Sequence, residues 1–208
     1  MPLYTSFTVA KNTQVLVWKI TESYNELFRA VQLKDFCMAR LEGMRSESHQ
    51  RGFLSVRMLL QTAGYTDFDL YYNDDGKPHL KDGKEISITH SYGFSAIIIS
   101  DKNVGIDIEL RRDKVIRIAD KFIDAEFEFL DQADDFVRKL IVIWGAKEAI
   151  YKMLSRNGLS FKQNMNVLPF AMEEKKGRTE VKFEEINSIY QIFFEEIEEF
   201  TMVYTIDD

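Results

Sequence analysis

Residues 86–109 read ISITHSYGFSAIIISDKNVGIDIE, and the fold turns on how this stretch is read. Residues 86–89, 94–100 and 104–109 are β-branched and apolar, and Ser91-Tyr92-Gly93 and Asp101-Lys102-Asn103 between them are turn formers. Three short strands joined by tight turns predict an antiparallel meander. Upstream, residues 15–20 form another β-branched run, and Ser23 with Glu26 has the spacing of a helix-opening capping box. Leu27, Val31, Phe36 and Leu41 predict a helix running to Gly43, and after a break Phe53, Val56, Leu59 and Leu60 predict a second that stops at Gly64. Residues 68–72 look extended, Asn73-Asp74-Asp75-Gly76 is a turn, and Lys77-Pro78 forbids helix before the proline, so a loop presents Lys77. Downstream, residues 115–154 turn helical, most clearly over 141–154. Residues 181–183, 189–194 and 200–206 then alternate as strands. Clustered strands, rather than strands alternating regularly with helices, predict an α+β fold instead of a doubly wound sheet.

The bulk numbers narrow the function classes. The chain has 208 residues, 45% of them hydrophobic, which suffices for a sizeable core without disulfides. A net charge of -7 argues against a nucleic-acid backbone as main partner. One cysteine, Cys37, cannot form an intrachain disulfide, and a reducing, cytoplasmic setting fits it. The amino terminus lacks a basic segment followed by an apolar run. The most apolar stretch, residues 94–99, is far shorter than the ~20 residues a membrane span needs, so no membrane anchor is expected. The charged runs 173–178 and 195–199 read as solvated turns or strand edges.

Two clusters carry chemistry. In Val104-Gly105-Ile106-Asp107-Ile108-Glu109 two carboxylates at i and i+2 of a strand face the same side, where like charges repel unless a cation or solvent separates them. Hard oxygen donors on a rigid strand suit magnesium; a solvated strand face, or pairing with Arg111 and Arg112, is the other reading. In Trp144-Gly145-Ala146-Lys147-Glu148-Ala149-Ile150-Tyr151-Lys152 the helical repeat puts Trp144, Glu148 and Lys152 on one stripe with Lys147 flanking it. An acid and a cation at i and i+4 also describe an ordinary surface ion pair. Thr89-His90-Ser91 at a strand end and Gly76-Lys77-Pro78 on a loop offer hydroxyls and cations to a polyphosphate. Three histidines and one cysteine, not at ligand spacing, leave no zinc reading.

The order of these motifs, from Gly76-Lys77-Pro78 through Thr89-His90-Ser91 and Gly105–Glu109 to Trp144–Lys152, resembles the 4'-phosphopantetheinyl transferase superfamily, and within it the surfactin-synthetase-type branch. Arg51 and Arg57 look like the basic helix that precedes the motifs there. The resemblance implies a pseudo-dimeric α+β architecture of two halves, residues 1–102 and 103–208, with coenzyme A in the cleft between them. It implies magnesium held by Asp107, Glu109 and Glu148, and coenzyme A contacted by Arg51, Lys77, Pro78, Thr89, His90, Lys147 and Lys152. Glu148 is then the base, directly or through water, Lys152 steadies the departing 3',5'-ADP, and Trp144 packs the helix against the strand. The partner is an apo acyl or peptidyl carrier protein, and two halves in one chain make a monomer sufficient. Carriers are acidic, and Arg111, Arg112, Lys114 and Arg117 are the basic side chains expected to meet them. Two positions depart from the family pattern: Thr89 replaces a serine, and Gly145 sits inside a helix, where it costs about 1 kcal/mol relative to alanine. Two other readings of the same residues are a binder of coenzyme A or carrier without catalysis, and a different magnesium-dependent phosphotransfer enzyme.

Overall fold

A computed structural model describes residues 3–131 and 135–207. The chain divides into two compact units, Met1–Lys102 and Asn103–Asp208. The α+β class expected from the clustered strands is the one the protein adopts, with an antiparallel sheet in each unit.

In the first unit, β1 (Leu3–Ala10) and β2 (Thr13–Lys19) form a hairpin whose turn residue Asn12 takes a left-handed conformation. The helix α1 (Tyr24–Ala30) opens on the capping box, with Ser23 and Glu26 each capping the other. Continuous helix to Gly43 was expected, yet the chain is extended around Val31 and restarts as α2 (Asp35–Glu42). The break has a local cause. The buried Asp67 carboxylate, itself gripped by Arg57 at 3.0 Å, accepts the Lys34 backbone N–H at 3.1 Å, which holds Lys34 extended and begins a new helix at Asp35. The amphipathic α3 (Glu47–Thr62) buries Phe53, Leu54, Val56, Leu59 and Leu60 and ends at Gly64 with φ +87. The strands β3 (Leu70–Tyr72), β4 (Pro78–Leu80), β5 (Glu85–Ser91) and β6 (Phe94–Ser100) complete a sheet of order β1-β2-β6-β5-β4-β3.

The second unit begins with β7 (Val104–Leu110), and here the meander expectation is corrected. β6 is already paired along its length with β2 on one side and β5 on the other, so no edge remains for β7. β7 opens a second sheet beside β11 (Phe200–Ile206) instead. Two 3₁₀ segments, Asp113–Lys121 and Ala125–Phe129, lead into α4 (Phe136–Leu154), followed by α5 (Phe161–Asn164), β8 (Met165–Val167), β9 (Lys176–Phe183) and β10 (Ile186–Ile197). The sheet order is β7-β11-β10-β9-β8, and α4 lies across β7 and β11. Leu140, Val142, Ile143, Ala146 and Ile150 of α4 sink into a core that also holds Phe194 and Val203.

Candidate functional site

The approach of α4 to β7 is set by two glycines. A Cβ at Gly105 would stand 1.8 Å from the Ala149 carbonyl oxygen, and one at Gly145 would stand 2.7 Å from Val203 Cγ2. At Gly105 backbone meets backbone, and at Gly145 backbone meets the Val203 side chain, with no room for a Cβ at either. The helix-internal Gly145, unfavourable on propensity alone, is what allows α4 to lie on β11 within reach of Asp107.

This close contact turns the Glu148–Lys152 side of the helix to the acids of the strand. Lys152 Nζ donates to Asp107 Oδ1 at 2.7 Å and to the Ile106 carbonyl at 3.1 Å. Asp107 is 4% exposed, while Glu109 and Glu148 are half-buried. The Glu148 carboxyl is pushed up to about 7, first by burial and then by the charge of Asp107, with Glu109 adding to it and Lys152 opposing. Of the alternatives open in the sequence, the i,i+4 surface pair gives way: Lys152 reaches across to the strand.

Three carboxylates, one of them held by a lysine ammonium, offer hard oxygens of the kind magnesium takes, and a divalent cation would relieve the repulsion that lifts Glu148. Among the described residues no group of three His, Cys, Asp or Glu side chains stands at ready-made ligand spacing. Magnesium does not require one, since waters and phosphate oxygens complete its shell. Beside Glu109 a cavity of about 190 Å³ is walled by Arg112, Lys114, Ile118, Ile141 and Trp144.

Lys147 is placed differently from expectation. It is fully buried, its ammonium paired with Glu126 Oε1 at 2.5 Å and donating to the carbonyls of Phe122 at 2.6 Å and Phe161 at 3.0 Å. Its donors are spent inside the protein, so the expected contact with a pyrophosphate gives way to a structural role. Trp144 packs on Phe122 and Phe161 and against the core of the second unit. Arg111 is likewise engaged, its guanidinium donating to the carbonyls of Phe200 and Glu198 and lying 3.3 Å from Glu196, so it pins the β10–β11 turn. Arg112, Lys114 and Arg117 are exposed, with Ile116 between them.

The remaining expected residues lie in the first unit. His90, exposed at the end of β5, rests its imidazole on α3, where a Cβ at Gly52 would come 2.8 Å from Nδ1. Thr89 is buried in β5. Lys77 is half-buried rather than presented by its loop, 3.3 Å from Glu85, and Pro78 opens β4. Arg51 donates to the carbonyls of Glu22 at 2.7 Å and Ile20 at 3.2 Å, and Arg57 is buried on Asp67. Two residues carried no signal in the sequence. Glu126 sits in an unremarkable acidic run, and Gly52 is one small residue in a helix.

Twin acids on a strand, faced by a helix carrying a third acid and a lysine, could hold a divalent cation against a phosphoryl group. The comparison with protein families agrees: residues 103–205 match the model of the 4'-phosphopantetheinyl transferase superfamily. Phosphopantetheine transfer from coenzyme A is that family's general chemistry. Comparison with curated proteins found no match. No helix among the described residues is long and apolar enough to cross a membrane.

Proposed function

We propose that the protein transfers the 4'-phosphopantetheine group of coenzyme A to a serine of an apo acyl or peptidyl carrier protein. The products are the holo carrier and adenosine 3',5'-bisphosphate. The observation that supports this reading is that the charges of Asp107 and Glu109 on β7 act on Glu148 of α4, with Lys152 of the same helix donating to Asp107.

The serine oxygen attacks the β-phosphorus, forming the new O–P bond while the bond to the bridging oxygen breaks. Glu148 accepts the serine proton directly or through water. Lys152 stabilises the negative charge that appears on the leaving 3',5'-ADP. Asp107, Glu109 and Glu148 would hold magnesium, which supplies charge neutralisation to the diphosphate. Arg51, Lys77, Pro78, Thr89 and His90 are assigned to coenzyme A through the family resemblance, and Lys147 is withdrawn from that set because its ammonium is internally satisfied. Exposed Arg112, Lys114 and Arg117 meet the carrier. The enzyme works in the cytosol as a monomer of the surfactin-synthetase-type branch.

The test is incubation with coenzyme A, magnesium and a panel of apo carriers, read by intact mass. A gain of one phosphopantetheine on at least one carrier is expected. Folded protein that binds coenzyme A yet modifies no carrier would instead select a binding module, and release of inorganic phosphate from nucleotides without carrier modification a different phosphotransfer enzyme.

A further inference from the structure

The buried pair Glu126–Lys147 gathers several elements of the second unit around α4. Lys147 Nζ holds Glu126 and the carbonyls of Phe122 and Phe161. Glu126 in turn accepts the backbone N–H of Asp124 at 3.0 Å and that of Val167 at 3.0 Å. Both side chains are almost wholly excluded from solvent, at 0% and 1% exposure. One pair thus ties α4 to both 3₁₀ segments, to α5 and to β8.

Energetically such a pair is a poor stabiliser, since desolvating two charges offsets most of their attraction, and apolar residues of similar volume often do as well. What it provides is direction. Successive residues of a helix point about 100° apart, so fixing Lys147 on one flank fixes the rotation of α4 about its axis and hence where Glu148 points. The two glycine contacts fix the opposite flank.

We infer that Glu126 and Lys147 are positioning residues, which set the rotation of α4 so that Glu148 and Lys152 meet Asp107. This rests on the proposed transferase reading for its consequence in catalysis, though not for the geometry itself. Removing outer partners of a metal site typically lowers metal affinity or activity ~10–100-fold, and the same order is expected here.

The experiment compares the full chain with Glu126→Gln and with the charge-neutral pair Lys147→Met/Glu126→Gln, because either single change leaves one buried partner uncompensated. Each folded variant is read by calorimetry with Mg²⁺ or Mn²⁺, by the separate kcat and KM for the carrier, and by crystallography. Expected are metal affinity and kcat reduced ~10-fold or more, an unchanged carrier KM, and loss of the 2.7 Å contact between Lys152 and Asp107. A folded variant that retains the parent's metal affinity, kcat and Lys152–Asp107 contact overturns the inference. Failure of the transferase reading looks different: the parent protein itself modifies no carrier, while the crystallographic comparison still decides whether the pair positions the helix.

Discussion

The Lys152 ammonium donates to the same Asp107 carboxylate that a magnesium ion would use, so lysine and metal compete for one carboxylate. Lys152→Gln is therefore expected to act in opposite directions on two quantities. Metal affinity measured by calorimetry should rise, because a competing cation is gone. The kcat should fall ~100-fold or more, the usual loss when a group that stabilises transition-state charge is removed. A fall in both would mean that Lys152 organises the acids rather than competing for them. Glu148 gives a pH prediction. Its carboxyl is lifted from 4.5 to about 7 in the folded chain, so the fold binds this proton more tightly than the unfolded chain does. That stabilisation is fully present below the unfolded value and is lost as pH rises through about 7. With chelator present, the Tm should drop as pH rises from 4.5 to about 7 and level off above that, and Glu148→Gln, which imitates the protonated acid, should flatten the drop. An identical slope in both proteins would remove Glu148 as its source.

At the scale of elements, α4 is held by close packing on one flank and by a buried charge pair on another. Gly145→Ala gains about 1 kcal/mol of helix propensity, yet its methyl would lie 2.7 Å from Val203 Cγ2. Overpacking of this kind costs about 1–3 kcal/mol. A lowered Tm is expected, and adding Val203→Ala should recover more stability than Val203→Ala contributes alone. Strict additivity in that double-mutant cycle would show that the two side chains do not meet. Gly105 permits no such relief, because its neighbour is the Ala149 carbonyl of the backbone. The same contacts explain what the sequence could and could not reveal. Period and punctuation marked β5, β6, β7, α3 and α4, since each is long, strongly patterned and bounded by turn residues or glycine. They could not show that β7 leaves the first sheet, because that depends on β6 having both edges occupied by β2 and β5. Nor could they show the break before Asp35, which follows from Asp67, 33 positions further on, claiming the Lys34 N–H. Lys147 was misjudged for a related reason. Its helical position put it beside Glu148, while its partner Glu126 lies 21 residues away in a segment without periodic pattern.

Over the whole molecule the charge is -7, and an acidic carrier approaching at random meets net repulsion. The surface that follows β7 is locally different. Arg112, Lys114 and Arg117 are exposed around Ile116, and two of them wall the cavity beside Glu109, whereas Arg111 is taken up by the β10–β11 turn. Salt screens exposed charges beyond about 8–10 Å at ordinary ionic strength, so it acts on both effects but with opposite signs. If global repulsion governs encounter, added salt speeds the reaction. If the local basic patch governs it, added salt slows it. The second is expected: kcat/KM for an acidic carrier should fall as NaCl rises, with kcat at saturating carrier unchanged. Lys114→Glu/Arg117→Glu should raise the carrier KM ~10-fold or more, because a like-charge contact now opposes docking, and should abolish or invert the salt dependence. Coenzyme A should keep its KM in that variant if the patch serves the carrier alone. An unchanged carrier KM would move docking away from the 3₁₀ segment Asp113–Lys121.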